Sequence, residues 1–321
     1  WCIKMSQTKK TIFLHNPGCL TEEALISSFA VREKEFQSIS DELKTLDWTK
    51  PERRYIVQGG WGSGKTTLLY RIYYEIKNNG TVQPLPCNVA EEPTPGVAQE
   101  GNTNDLLLDV DSGMGGQAHN NKATAVHLIP ILFHNEQYRV RNLCELWELL
   151  CERLEDVAGF KGIVTEFKGR LEEEGFESRS FEVIANALKR EGKHLVVFLD
   201  NVGSLMDKLN KQECARLHEI LLTFPDICVI GASATALEHT DGRSSRFFDC
   251  FKFIHLNGLN ASEGISLLRR LGEVFERPGM LKIIDEQPAR VETCRRLTGG
   301  VVRTMALLFE ICSNDECGNA F

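Results

Sequence analysis

The chain has 321 residues, 42% apolar and 26% charged, the balance of a soluble globular protein long enough for one large domain and a smaller one. Forty-five acidic residues against 37 basic ones leave a net charge of −8, which excludes a global electrostatic attraction to nucleic acid and leaves only a local basic patch as a route to it. Neither the totals nor any apolar run suits a membrane: Leu195–Leu199 and Ile227–Ile230 fall far short of the ~20 residues a spanning helix needs.

The opening, Trp1 to Lys10, is polar and reads as no signal peptide. Residues 1–50 form an N-terminal linker and helix: the chain is irregular to about residue 20, turns at Pro17-Gly18, and is predicted helical from Thr21 to Leu46. Tyr55-Ile56-Val57 is a short strand that runs into a glycine cluster, and Thr66 to Lys77 is a helix ended by Asn78-Asn79-Gly80. Residues 81–122 carry Pro84, Pro86, Pro93 and Pro95 among glycines, asparagines and acids; this composition offers little apolar surface to offset chain ordering and reads as a flexible surface insertion. Val126–Phe133 is a buried strand whose Pro130 favours a place at the edge of a sheet.

Val140–Leu154 is an amphipathic helix with Leu143, Leu146, Trp147, Leu150, Cys151 and Leu154 on one face. Further helices are predicted at Phe160–Glu174, Phe181–Arg190 and Lys211–Leu222, and apolar strands at His194–Leu199, Ile227–Gly231 and Phe251–Leu256. Apolar runs alternating with helices point to an α/β fold with a parallel sheet covered on both faces. From Ala261 every segment is helical: Glu263–Phe275, Leu281–Asp285, Ala289–Leu297 and Val301–Ser313. The pattern therefore divides the chain at 259, with an α/β core over 51–259 and a small all-α lid over 260–321. Cys144, Cys151 and Cys228 lie inside apolar periodic segments, and the eleven cysteines show no CxxC pair or zinc spacing. That placement suits a reducing, cytoplasmic compartment.

Gly59-Gly60-Trp61-Gly62-Ser63-Gly64-Lys65-Thr66 contains G-x-x-x-x-G-K-T between a strand and a helix, the Walker A pattern that nucleotide phosphates require. Glycines let backbone N–H groups converge on anionic oxygens, and the helix that follows adds the positive end of its dipole. Residues Gly60 to Thr67 are thus the candidate phosphate cradle, with Lys65 reaching the β- and γ-phosphates and the Thr66 hydroxyl ligating Mg²⁺. Four fixed positions match by accident on the order of once per hundred chains of this length.

A second acid is needed to hold the magnesium shell, and Asp200, at the end of His194–Leu199, fits that place or simply begins the next turn. With Val126–Phe133 coming before this strand in sequence, the connectivity suits the P-loop class with an additional strand beside the P-loop strand. Asn201 follows Asp200, and an amide cannot take a proton from an attacking water, so hydrolysis is expected to be slow or to use another base. Glu136 is the acid to test first, against its reading as a solvated loop carboxylate. Ser233 or Thr235, after Ile227–Gly231, could touch the γ-phosphate or cap the strand. Arg243 and Arg246 are candidates for an arginine finger toward a neighbouring subunit or for a surface ion pair. Arg303, in Leu297-Thr298-Gly299-Gly300-Val301-Val302-Arg303, could reach back from the lid to the nucleotide.

On the P-loop, Val196–Asp200, Gly231–Thr235, Ser245-Arg246-Phe247 and Thr298–Arg303, in that order, the chain resembles an AAA+/STAND-type ATPase of the origin-recognition-like and archaeal-type branch. The likeness covers roughly residues 25–315, and Ile129–Tyr138 leading into Leu146-Trp147-Glu148-Leu149-Leu150 is similar to prokaryotic members. The resemblance implies that Lys65, Thr66 and Asp200 serve ATP and Mg²⁺, and that Arg303 is a sensor-2-like arginine. It implies a conformational or assembly switch through self-association or a protein partner, with a DNA-associated loader or a non-hydrolysing scaffold as alternatives. ATP is expected over GTP because no Asn-Lys-x-Asp motif is present. Asn201 in place of glutamate, Ala234 in place of a polar sensor, and Val301-Val302 in place of Asn-Pro depart from the pattern. Members of this group often carry a winged helix or repeats after the lid, whereas this sequence stops at Phe321, with such a segment missing or never present.

Overall fold

The computed structural model describes residues 17–50, 54–82, 126–133, 139–234 and 248–314. After a 3₁₀ turn at Pro17–Cys19 come α1 (Glu22–Ser28), α2 (Glu33–Lys44), β1 (Tyr55–Gly59), α3 (Lys65–Asn79), β2 (Thr81–Val82) and β3 (Val126–Phe133). Then follow α4 (Leu143–Leu154), α5 (Ile163–Gly169), α6 (Phe176–Arg179), α7 (Phe181–Glu191), β4 (Lys193–Leu199), α8 (Val202–Met206), α9 (Lys211–Thr223), β5 (Ile227–Ser233) and β6 (Lys252–Leu256). The described chain ends in α10 (Ala261–Val274), α11 (Pro278–Glu286), α12 (Pro288–Leu297) and α13 (Val302–Asn314). Most of the predicted insertion lies outside the described residues.

One six-stranded sheet has the order β2-β3-β4-β5-β1-β6. All its pairings are parallel except β2 with β3. β5 is inserted between β1 and β4, which is the additional-strand arrangement of the P-loop fold. Alternate residues of the central strands serve opposite faces. Leu195, Val197, Leu199, Ile227 and Val229 join one cluster with α4, α5 and α7 to α9, while Val196, Phe198, Cys228, Ile230 and Ala232 join another with α2 and α3. Both faces are covered, so β4 and β5 read as continuous apolar runs rather than alternating ones.

β3 is one strand in from the edge, because Thr81 and Val82 pair with its first two residues. Pro130 is nonetheless placed as its chemistry requires. Leu128 donates its N–H outward to Gly80 O at 3.1 Å, and Pro130, two residues on, has its nitrogen on that same outer side beyond the reach of β2. No ladder bond toward β4 is lost.

Two helices stand where the pattern predicts one from Thr21 to Leu46. Thr21 caps α1 by accepting from Ala24 N at 3.2 Å, and the chain then breaks at Phe29–Arg32, with Arg32 in the left-handed region at φ 70°. No glycine or proline marks the break; tertiary bonds of Arg32, described below, impose it. The helix predicted over Phe160–Glu174 is shortened to α5, which starts behind a left-handed Gly162 and ends at Gly169, and α8 is an element the periodicity did not reveal.

Helices α10 to α13 surround their own cluster, in which Leu267, Leu271, Met280, Ile284, Val291, Met305 and Phe309 are buried with Val31 from the α1–α2 turn. Asn260 starts α10 with a capping box: its side chain accepts from Glu263 N at 2.9 Å while Glu263 accepts from Asn260 N at 2.8 Å. None of the described helices is long and apolar enough to cross a membrane. The eight described cysteines form no disulfide with one another.

Candidate functional site

In a parallel sheet the C-terminal strand ends open onto one crevice, where ligands of such folds bind. β1 delivers its chain into Gly60–Gly64 at that end, and Gly62 (φ 77°) and Gly64 (φ 97°) take left-handed conformations that turn the loop into α3. Among the described residues, the N–H groups of Gly62, Gly64, Lys65 and Thr66 have no acceptor. They are orphan donors at a helix N-terminus, and an anion is the group that would satisfy them. Lys65 folds over the loop, its Nζ donating to Gly59 O at 2.7 Å and Gly60 O at 2.8 Å. Burial pulls its pKa below the ordinary lysine value and the Asp200 carboxylate pulls it back up.

Asp200 lies two strands away, beyond β5, yet its Oδ2 accepts from the Thr66 hydroxyl at 2.9 Å. A hydroxyl and a carboxylate brought together beside orphan amides form a hard oxygen donor set that fits a magnesium ion. Asn201 takes φ 57°. Asparagine tolerates that left-handed conformation better than glutamate, so local backbone geometry matches the residue present. Ser233 is level with Gln58 in the ladder and is buried between the two arms of the site.

Trp61, at the loop tip, is 80% exposed. Thr67 is in the first turn of α3. Arg303 contributes through its backbone: its N–H donates to Gly62 O at 2.9 Å, and a Cβ on Gly62 would come within 2.8 Å of the Arg303 Cβ and 2.9 Å of Val301 Cγ1. The Arg303 side chain is exposed at this junction. Glu136, Thr235, Arg243 and Arg246 lie outside the described residues.

One residue escaped the sequence reading. Arg32 is buried to 7% exposure; its Nε donates to Ser63 O at 3.3 Å, its Nη2 to Asn257 O, and its Nη1 stands 3.6 Å from Glu35 Oε1. In sequence it reads as one more charge within a helix, and no local signal marks it.

Similar solved structures include the ORC2 protein of Aeropyrum pernix in its ADPNP–ADP complexes, 12% identical over 89% of this chain and 62% of that one, with a TM-score of 0.49. They also include the Aeropyrum pernix ORC1 protein in complex with DNA (14% identical, 92% and 63%, TM-score 0.49) and a Walker-type ATPase of Pyrococcus abyssi (14% identical, 90% and 69%, TM-score 0.49). The chain thus spans less than two thirds of the first two. No curated protein matches it. The KAP family P-loop domain matches residues 36–230, more than half of the chain, from α2 through the phosphate loop and Asp200 into β5. This chain belongs to the KAP family of P-loop NTPases.

Proposed function

We propose that the domain binds ATP with magnesium at Gly60–Thr67 and Asp200, hydrolyses it slowly, and uses the nucleotide state to set the position of a helical lid or an assembly. The observation that carries this reading is the hydrogen bond from Thr66 to Asp200 beside the four orphan amides. On nucleotide entry Lys65 exchanges the carbonyls of Gly59 and Gly60 for β- and γ-phosphate oxygens, and the amides of Gly62, Gly64, Lys65 and Thr66 receive the anion. Thr66 and Asp200 would hold the magnesium ion, which supplies charge neutralisation at the phosphates. Asn201 cannot take the proton of an attacking water, which supports slow turnover. The main-chain bond from Arg303 N–H to Gly62 O supports reading Arg303 as a lid arginine that senses the nucleotide. A switch of this kind requires the triphosphate to contact two states unequally, and the main-chain bond between the helical region and the phosphate loop supports a route for that coupling.

Calorimetric titration of the full chain with ATP and Mg²⁺ tests the reading. Saturable binding is expected, with Lys65→Ala abolishing it; equal binding by the variant and the parent, or none by the parent, contradicts it. Single-turnover phosphate release is expected to be slow but above background.

A further inference from the structure

Arg32 combines two unfavourable features. A buried guanidinium loses its hydration and needs partners for its donors. A non-glycine residue at φ 70° is retained only where the surroundings impose it. Both coincide at a side chain that ties together two segments distant in sequence, Ser63 in the phosphate loop and Asn257 just after β6 on the way into α10, with Glu35 as its local ion-pair partner in α2.

Its bond to Ser63 O has a geometric consequence. The peptide between Ser63 and Gly64 is planar and trans, so its carbonyl and its N–H point in opposite directions. Holding Ser63 O on one side fixes the direction of Gly64 N–H on the other, and that N–H is one of the orphan donors of the loop. The same guanidinium holds Asn257 O, and two residues later Leu259 N–H donates to Gly300 O at 2.8 Å. A chain of bonds therefore runs from a phosphate-facing amide through Arg32 to the start of the C-terminal helices.

We propose that Arg32 is a positioning residue that orients the Gly64 amide and couples phosphate occupancy of the loop to the placement of α10–α13. The proposal rests on the nucleotide reading above. Phosphate binding draws on Gly64 N–H and fixes the whole peptide, its Ser63 carbonyl included; Arg32 then restrains Asn257 and the linker behind it. In the opposite direction, displacement of the linker pulls the guanidinium from Ser63 O and leaves the Gly64 amide free to rotate.

The test is hydrogen exchange of the full chain with and without a slowly hydrolysed ATP analogue and Mg²⁺, in the parent, Arg32→Gln and the milder Arg32→Lys, alongside calorimetric affinity. In the parent the analogue is expected to protect both residues 60–66 and residues 257–260. In Arg32→Gln affinity should fall by about tenfold. At saturation residues 60–66 should still be protected, while the protection at 257–260 disappears. Arg32→Lys, which cannot reach two carbonyls with one planar fork, should lose the linker response as well. A residue serving stability alone would not separate the two regions. Nucleotide-dependent protection of 257–260 that survives in either variant, or its absence in a parent that binds the analogue, overturns the proposal. A parent that binds no nucleotide refutes the nucleotide reading instead.

Discussion

Alanine at three glycines of the phosphate loop should produce a graded series. At Gly60 an added Cβ meets nothing within 4 Å and no left-handed φ is required, so Gly60→Ala should range from neutral to about 1 kcal/mol more stable through the unfolded chain. At Gly64 the neighbours stand at 3.7 Å or more, an ordinary contact, and only the left-handed backbone penalises a side chain, by about 1–2 kcal/mol. Gly62 carries the same backbone term and places its Cβ 2.8 Å from the Arg303 Cβ and 2.9 Å from Val301 Cγ1. Overpacking adds about 1–3 kcal/mol, for a total loss of about 2–5 kcal/mol. Urea unfolding at constant slope reads the series. The gap between Gly62→Ala and Gly64→Ala should move the midpoint by roughly 0.3–1 M for a slope near 3 kcal/mol/M. Equal midpoints for those two variants would show that the loop and the start of α13 are not in contact in solution.

Phe198→Ala, which empties a fully buried position in β4 against Tyr73, should destabilise by about 3–5 kcal/mol in the same assay, and a loss below about 1 kcal/mol would contradict the packing. Asn201→Glu should lose about 1–2 kcal/mol because its backbone sits at φ 57°; an unchanged midpoint would rule out that strain. The pKa of His218 lies below its ordinary 6.5 because of burial, then the positive charge of Arg54, with Asp249 opposing. Its contribution to stability is whole above 6.5 and is lost as pH falls from there through the lower folded value, since the unfolded chain binds the proton first; His218→Gln should flatten the midpoint against pH over that window, and an unaltered profile would refute it.

The sheet and its covering helices were legible because their signals are local and periodic. Ile227-Cys228-Val229-Ile230 must be buried on two faces, and Leu143 to Leu154 presents one apolar stripe; each dictates its element from composition alone. The phosphate loop was legible for a related reason, since Gly62, Gly64, Lys65 and Thr66 are residue types that few other backbones require together. Part of what stayed hidden depends on partners far along the chain. The break between α1 and α2 answers to Ser63 and Asn257, 31 and 225 residues from Arg32. β2 is too short for any periodicity, and α8 follows from the turn at Asn201.

The bond between Arg303 N–H and Gly62 O is made wholly of main chain. Replacing the Arg303 side chain leaves both bonding atoms in place, so alanine scanning at 303 would miss the connection itself. Among natural residues only proline lacks the donor, and position 303 falls in the first turn of α13, where helices still accept it. A junction of this kind can persist through extensive side-chain change at 303, because selection on residue identity there acts on the bond only by excluding proline.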